Sequence, residues 1–135
     1  MPDRTPLAVA VNLPHVVAEV RAVFDRYEMA LTANDVPVLE HLFRNAPETT
    51  RYGVGENLYG WEAISAFRRS RSTGPFRRGL QRTIITTYGT DFATANTEYH
   101  REGHDRPGRE TKTLVRDGGE WRIVSAHVSL LGQTI

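Results

Sequence analysis

The sequence predicts a single α+β domain, and three features carry that expectation. Its 135 residues match the length of one domain, large enough to bury roughly two-thirds of its unfolded surface without a disulfide or metal staple. The first half spaces its apolar residues three and four apart, as helices that bury one face require. From Leu80 onward, stretches rich in Ile, Thr and Val alternate with polar residues and are separated by glycine turns, the pattern of antiparallel strands. Helices followed by a four-strand meander argue for α+β and against alternating βα units.

Residues 1–12 carry proline and charge without a clean period. They read as a loose arm ahead of one domain over residues 13–132. A helix is expected from Leu13-Pro14, with Asn12 as its cap and Pro14 tolerated in the first turn. Val17, Val20, Phe24, Tyr27 and Leu31 form its apolar stripe, and Glu19, Arg21, Asp25, Arg26 and Glu28 cover its wet side. It ends near Asn34. Asp35 then caps a shorter helix, with Leu39, Leu42 and Phe43 on its buried face, and Asn45-Ala46-Pro47 breaks it. Residues 49–52 read as a brief strand closed by Gly53 and Gly55. A third helix starts after Gly60, turns Trp61, Ile64 and Phe67 (or Ala63 and Phe67) inward, and runs out near Arg71 before Ser72-Thr73-Gly74-Pro75. Strands are expected at residues 80–88, 92–101, 109–116 and 120–130, with glycine supplying positive φ in the turn at Gly118-Gly119.

Composition narrows the function. No cysteine is present, which removes disulfides, zinc thiolates and cysteine nucleophiles. The opening lacks a basic segment followed by a signal-length apolar run, and no stretch reaches the about 18 apolar residues of a membrane helix. The expected address is therefore cytoplasmic, with no membrane partner. Net charge is +1, yet no acidic residue falls between Glu62 and Asp91, whereas Arg68, Arg69, Arg71, Arg77, Arg78 and Arg82 do. Such a block is a solvated face, an anion site or a nucleic-acid surface. Only Phe76 is interleaved with these arginines, which argues against base stacking and so against a nucleic-acid partner. Lys112 is the sole lysine, so an anion site here would be built from planar, bidentate guanidinium groups.

Several side chains carry possible chemistry. Tyr27 lies on the first helix stripe, so its ring faces inward. It is either a core tyrosine whose hydroxyl reaches a carbonyl or a phenol at the base of a pocket that moves a proton. Arg51 is either a rim cation paired with Glu56 or Glu28, or an inward fork for a carboxylate that also makes the phenol a better base. Arg68 and Arg71 end the third helix at the expected pocket mouth, and Tyr99 shares a strand face with Thr97 and Arg101. His127 lies with Ser125 and Ser129, opposite Val124, Val128 and Leu130; that polar row either lines the pocket or meets a second copy. Glu56 and Asn57 read as turn formers. No nucleophile elbow, phosphate loop or dinucleotide fingerprint occurs, and residues 100–105 lack a third metal ligand of fixed geometry. Neither a cofactor nor a metal is expected.

The order of elements, ending in Trp121-Arg122-Ile123-Val124-Ser125-Ala126-His127-Val128-Ser129, resembles the nuclear-transport-factor-2-like superfamily. There, a curved, mostly antiparallel sheet wraps three helices into a cone with one deep pocket. The stretch Thr50-Arg51-Tyr52-Gly53-Val54-Gly55-Glu56-Asn57-Leu58-Tyr59-Gly60, with Arg26-Tyr27-Glu28, Ile85-Thr86-Thr87-Tyr88-Gly89 and Thr97-Glu98, resembles the AtzH-like family, including its small HpxZ-type members of oxalurate catabolism. The resemblance spans residues about 12–132. It implies a homodimer acting on small ureido carboxylates, with Tyr27 and Arg51 as the catalytic tyrosine and arginine. The expected activity is hydrolysis of a C–N bond in an oxalurate- or dicarboxyurea-like substrate, with Arg68, Arg71, Tyr99 and His127 as binding residues. The alternative is a non-catalytic, anion-binding dimer that supports a neighbouring amidase. A fold of this kind does not choose between them. The dimer is expected through the outer sheet face, because the strands carry apolar residues on both sides.

Overall fold

The computed structural model describes residues 4–71 and 74–132. The first three residues of the arm and the break assigned to Ser72 and Thr73 lie outside that range. The described elements are α1 (Pro14–Ala33), α2 (Val36–Leu42), β1 (Thr50–Tyr52), β2 (Asn57–Tyr59), α3 (Trp61–Ser70), β3 (Arg78–Tyr88), β4 (Phe92–Arg101), β5 (Gly108–Asp117) and β6 (Glu120–Leu130). They form an α+β domain whose one sheet has six strands in the order β2-β1-β6-β5-β4-β3. The meander of β3 to β6 is antiparallel. β1 adds to it in parallel along β6, with Arg51 opposite Ala126. No helix among the described residues is long and apolar enough to cross a membrane.

Local chemistry accounts for most of the element ends. Pro14 opens α1, where its missing N–H costs nothing. Asn12, the expected cap, instead holds a left-handed backbone (φ 59), which asparagine tolerates. It bonds β3 twice at 2.9 Å, donating to the Thr87 carbonyl and accepting the Thr87 N–H on Oδ1. Asn34 closes α1 in the left-handed conformation, and Asp35 caps α2 by accepting the Val38 N–H at 3.4 Å.

The core lies between the helices and the inner sheet face. Helix α1 buries Val16, Val20, Phe24, Tyr27, Ala30 and Leu31; Val17, expected in this stripe, is only half-buried. The facing strands contribute Ala93, Ala95 and Ala126 with Leu114 and Ile123. Small alanines on the sheet leave room for the aromatic side chains of α1, each worth about 1.5–3 kcal/mol when fully buried.

Three expectations change at this level. Glu28 does not belong to a wet face, since Arg78 binds it. Helix α3 buries Ile64, Ser65 and Arg68, leaving Trp61 and Phe67 only half-buried. A bulge displaces the register of β5 and β6 between Thr113 and Leu114, so the inner row of β6 is Trp121, Ile123, Ala126 and Val128. Val124 therefore does not share the inner row with Val128. An inserted residue of this kind reverses the side-chain alternation beyond it.

Candidate active site

A cleft of about 440 Å³ opens where α1 and α3 end, β3 and β5 begin, and β4 and β6 finish. Arg51, Arg71, Arg78 and Arg101 line it, against the carboxylates of Glu56 and Glu110. Two helix C-termini point toward this end, a placement that favours cations. Aromatic rings hold the guanidinium groups: Arg51 and Arg71 lie 5.8 and 5.5 Å from the Phe67 ring, Arg78 lies 4.3 Å from Tyr99, and Arg101 lies 3.9 Å from Phe76.

Below this cleft is a buried ionic cluster centred on Glu110, whose side chain is 0% exposed. Arg78 donates to Glu110 Oε1 at 2.9 Å and to both oxygens of Glu28 at 2.7 Å. The Tyr27 hydroxyl donates to Glu110 Oε2 at 3.2 Å and accepts from Arg68 Nη2 at 3.1 Å. Lys112 Nζ lies 3.3 Å from Glu110 Oε2, too far off line to bond it, and 4.1 Å from the centre of the Tyr27 ring. Burial by itself would raise the Glu110 carboxyl, but Lys112, Arg78 and Arg51 overcome it and hold the group at about 2. Burial likewise works against Arg78, and Glu28 and Glu110 outweigh it, so its guanidinium stays charged.

Arg51 sits on the inner face of β1, 5% exposed. Its Nη1 donates to Glu56 at 2.7 Å, while its buried Nε has no partner. Burial opposes its charge; the Tyr27, Glu56 and Glu110 oxygens more than restore it. Gly53 makes the Glu56 contact possible, because a Cβ there would fall 1.8 Å from Glu56 Oε1. Arg71 behaves differently: burial and then the fields of Arg68, Arg51 and Arg101 push its guanidinium down. Cations crowd this end of the molecule.

The AtzH-like family model matches residues 9–134. The chain belongs to the AtzH-like family. A Pectobacterium atrosepticum protein of unknown function shares 52% identity over 90% of this chain and 95% of its own, with a TM-score of 0.87. A Burkholderia xenovorans protein with a cystatin-like fold shares 44% over 93% and 99%, at 0.88. A Salmonella enterica protein of the nuclear-transport-factor-2-like superfamily, 24% identical over 90% and 94% with a TM-score of 0.76, has the same fold. No curated protein matches the chain.

Within this AtzH-like domain the expected site residues separate by depth. Arg51, Arg71 and Tyr99 line the cleft. Tyr27 and Arg68, 0% and 2% exposed, lie beneath it; Tyr27 reaches it through Glu110, and Arg68 bonds Tyr27 in turn. The guanidinium that bonds the phenol is Arg68; Arg51, expected as a cation beside the phenol, interacts with its oxygen through its field. His127 is on the outer sheet face, its ring 5.5 Å from that of Tyr52, away from the cleft. Glu110 and Lys112 do not stand out in the sequence as site residues, and Arg78 stands out only as one member of the arginine block. Counting in twos from the inward Leu114 along β5 reaches Lys112, Glu110 and Gly108; that parity was the available signal.

Proposed function

We propose that this protein binds a small ureido carboxylate in the arginine-lined cleft and hydrolyses one of its C–N bonds. The observation that carries the reading is the cation excess: four arginines against two carboxylates line one small cavity. Helices and sheet would enclose it as a cone. Arg51, with an unused buried Nε, is the fork for the substrate carboxylate and supports negative charge on the adjacent carbonyl oxygen. Water adds to the ureido carbon, the C–N bond breaks, and the departing nitrogen takes a proton. Tyr27 is linked to the cleft through Glu110, the contact along which a proton can pass to or from the ligand, and Arg68 orients the phenol by donating to its oxygen.

A second reading is favoured by one specific feature. The carboxylates of the cleft are tied into ion pairs with Arg51 and Arg78, and a carboxylate held at about 2 is a weak general base near neutral pH. This supports an anion-binding role beside a neighbouring amidase. Turnover of oxalurate, dicarboxyurea and allophanate by the purified protein, with Tyr27→Phe and Arg51→Ala alongside, separates the two. Hydrolysis requires turnover that falls at least tenfold in both variants. Binding alone requires no turnover, with affinity weakened tenfold or more by Arg51→Ala only. Unchanged turnover in both variants would remove the pair from the chemistry.

The outer sheet face is the proposed dimer surface. It carries exposed Ile84 and Phe92, and Tyr59, which packs edge-on with Tyr52 at 6.0 Å. Light scattering at micromolar concentration is expected to give twice the chain mass of 15.2 kDa. A monomeric mass rejects the surface.

A further inference from the structure

The arginines of the cleft are not equivalent. Arg51 has Glu56, and Arg78 has Glu28 and Glu110. Arg71 and Arg101 form no ion pair among the described residues; the Phe67 and Phe76 rings lie beside them, and Glu56, paired with Arg51, acts on Arg71 through its field alone. Both are half-buried, whereas Arg51 and the Arg78 side chain are 5% and 3% exposed. The unpaired cations therefore lie nearer solvent than the paired ones.

Their placement carries a cost. Arg101 stands directly across from Arg78 in the β3–β4 pairing, and like charges opposite one another on neighbouring strands repel. Burial, and then the fields of Arg68, Arg51 and Arg101, lower the affinity of Arg71 for a proton, and Glu56 only partly offsets them. An aromatic face steadies a guanidinium but does not neutralise it. Two cations held in place with no ion-paired carboxylate of their own form a site whose missing component is negative.

We infer that Arg71 and Arg101 form a second anion subsite toward the mouth of the cleft, and that the preferred ligand carries two anionic groups, one at Arg51 and one at this outer pair. This rests on the reading of the cleft as a small-carboxylate site. It makes Arg71 and Arg101 specificity-determining residues: they select a dicarboxylate over the same molecule with one carboxylate. A ligand with a single carboxylate satisfies the inner fork and leaves the outer pair repelling. Phe67 and Phe76 are the supports that fix the outer guanidinium groups.

The test is isothermal titration of the full chain with two matched pairs. N-carbamoylaspartate and hydantoate are ureido acids with two and one carboxylates; succinate and propionate have no C–N bond. In each pair the dicarboxylate should bind at least tenfold more tightly. Arg71→Gln and Arg101→Gln should each reduce that preference to below threefold, with melting curves confirming that both variants fold. Equal affinity within each pair, no binding of any of the four, or equal weakening of both members by the variants overturns the inference. Succinate and propionate cannot be hydrolysed, so their result stands whether or not any ureido compound is turned over. Turnover without a dicarboxylate preference rejects the outer subsite and leaves the hydrolase reading intact.

Discussion

Glu110→Gln is expected to destabilise the folded chain by about 3–5 kcal/mol near neutral pH, the cost of leaving a buried partner charge unpaired. The carboxylate is fully buried and has Arg78, Lys112 and Tyr27 upon it. Removing its charge strands Lys112, whose Nζ is already without a hydrogen bond. For a domain of this size the melting temperature should fall by roughly 10–20 °C. The same residue governs acid sensitivity. Its folded pKa is about 2 against an ordinary 4.5, so its contribution is full above 4.5 and is lost as pH falls toward 2. With about 1.4 kcal/mol per unit, this amounts to about 3 kcal/mol. Urea unfolding at a series of pH values checks both points: Glu110→Gln should be weaker at pH 7 and flatter than the parent between pH 4.5 and 2. A variant that melts within about 3 °C of the parent would show that the cluster is not coupled to folding. Changing Glu110 and Lys112 together to Met should recover part of the loss, since a buried pair can be exchanged for apolar volume at little cost.

Gly108→Ala is the second large effect. Gly108 is paired across the sheet with Tyr99, and its missing side chain is the space the ring occupies. A Cβ there would lie 2.1 Å from Tyr99 Cζ and 2.5 Å from both ring Cε atoms. The ring cannot simply tilt outward, because the Arg78 guanidinium lies 4.3 Å from its centre. Overpacking of this kind costs about 1–3 kcal/mol, and the upper end is expected here. Displaced Tyr99 would carry Arg78 off Glu28 and Glu110, so dicarboxylate affinity should drop at least tenfold along with stability. Titration and thermal melting together read the outcome; stability and affinity both unchanged would mean the ring has another resting place. The backbone at Gly108 is not in the left-handed region, so the requirement for glycine is one of space alone.

The legible and illegible parts of this molecule divide along a physical line. Periods and punctuation were readable: the α1 stripe through Val20, Phe24 and Tyr27, the Asp35 cap, and β4 and β6 to the residue. Local chemistry determines these features. Pairings between distant residues were not readable. Glu28 looks solvated until β3 brings Arg78 against it, and Arg68 looks like a charged helix end until α1 offers a phenol. The strand β2 was hidden because Asn57-Leu58-Tyr59 is too short to show an alternation; only its partner Thr50–Tyr52 makes it a strand. One bulge was enough to misplace Val124, since a single inserted residue changes which face every later side chain occupies.

Because β1 adds beside β6, the last of the described strands, the geometry at Arg51 depends on residues made some seventy-five positions later. During synthesis, β1 and β2 emerge early with no sheet to join, and the meander from β3 onward must wait for its final strand before it can offer an edge. Long-range pairings of this sort slow folding, because the chain must close a large loop before any contact compensates for it. The arginine-lined cleft is thus among the last features to form on a nascent chain. An unfinished polypeptide has the arginine fork but nothing to aim it.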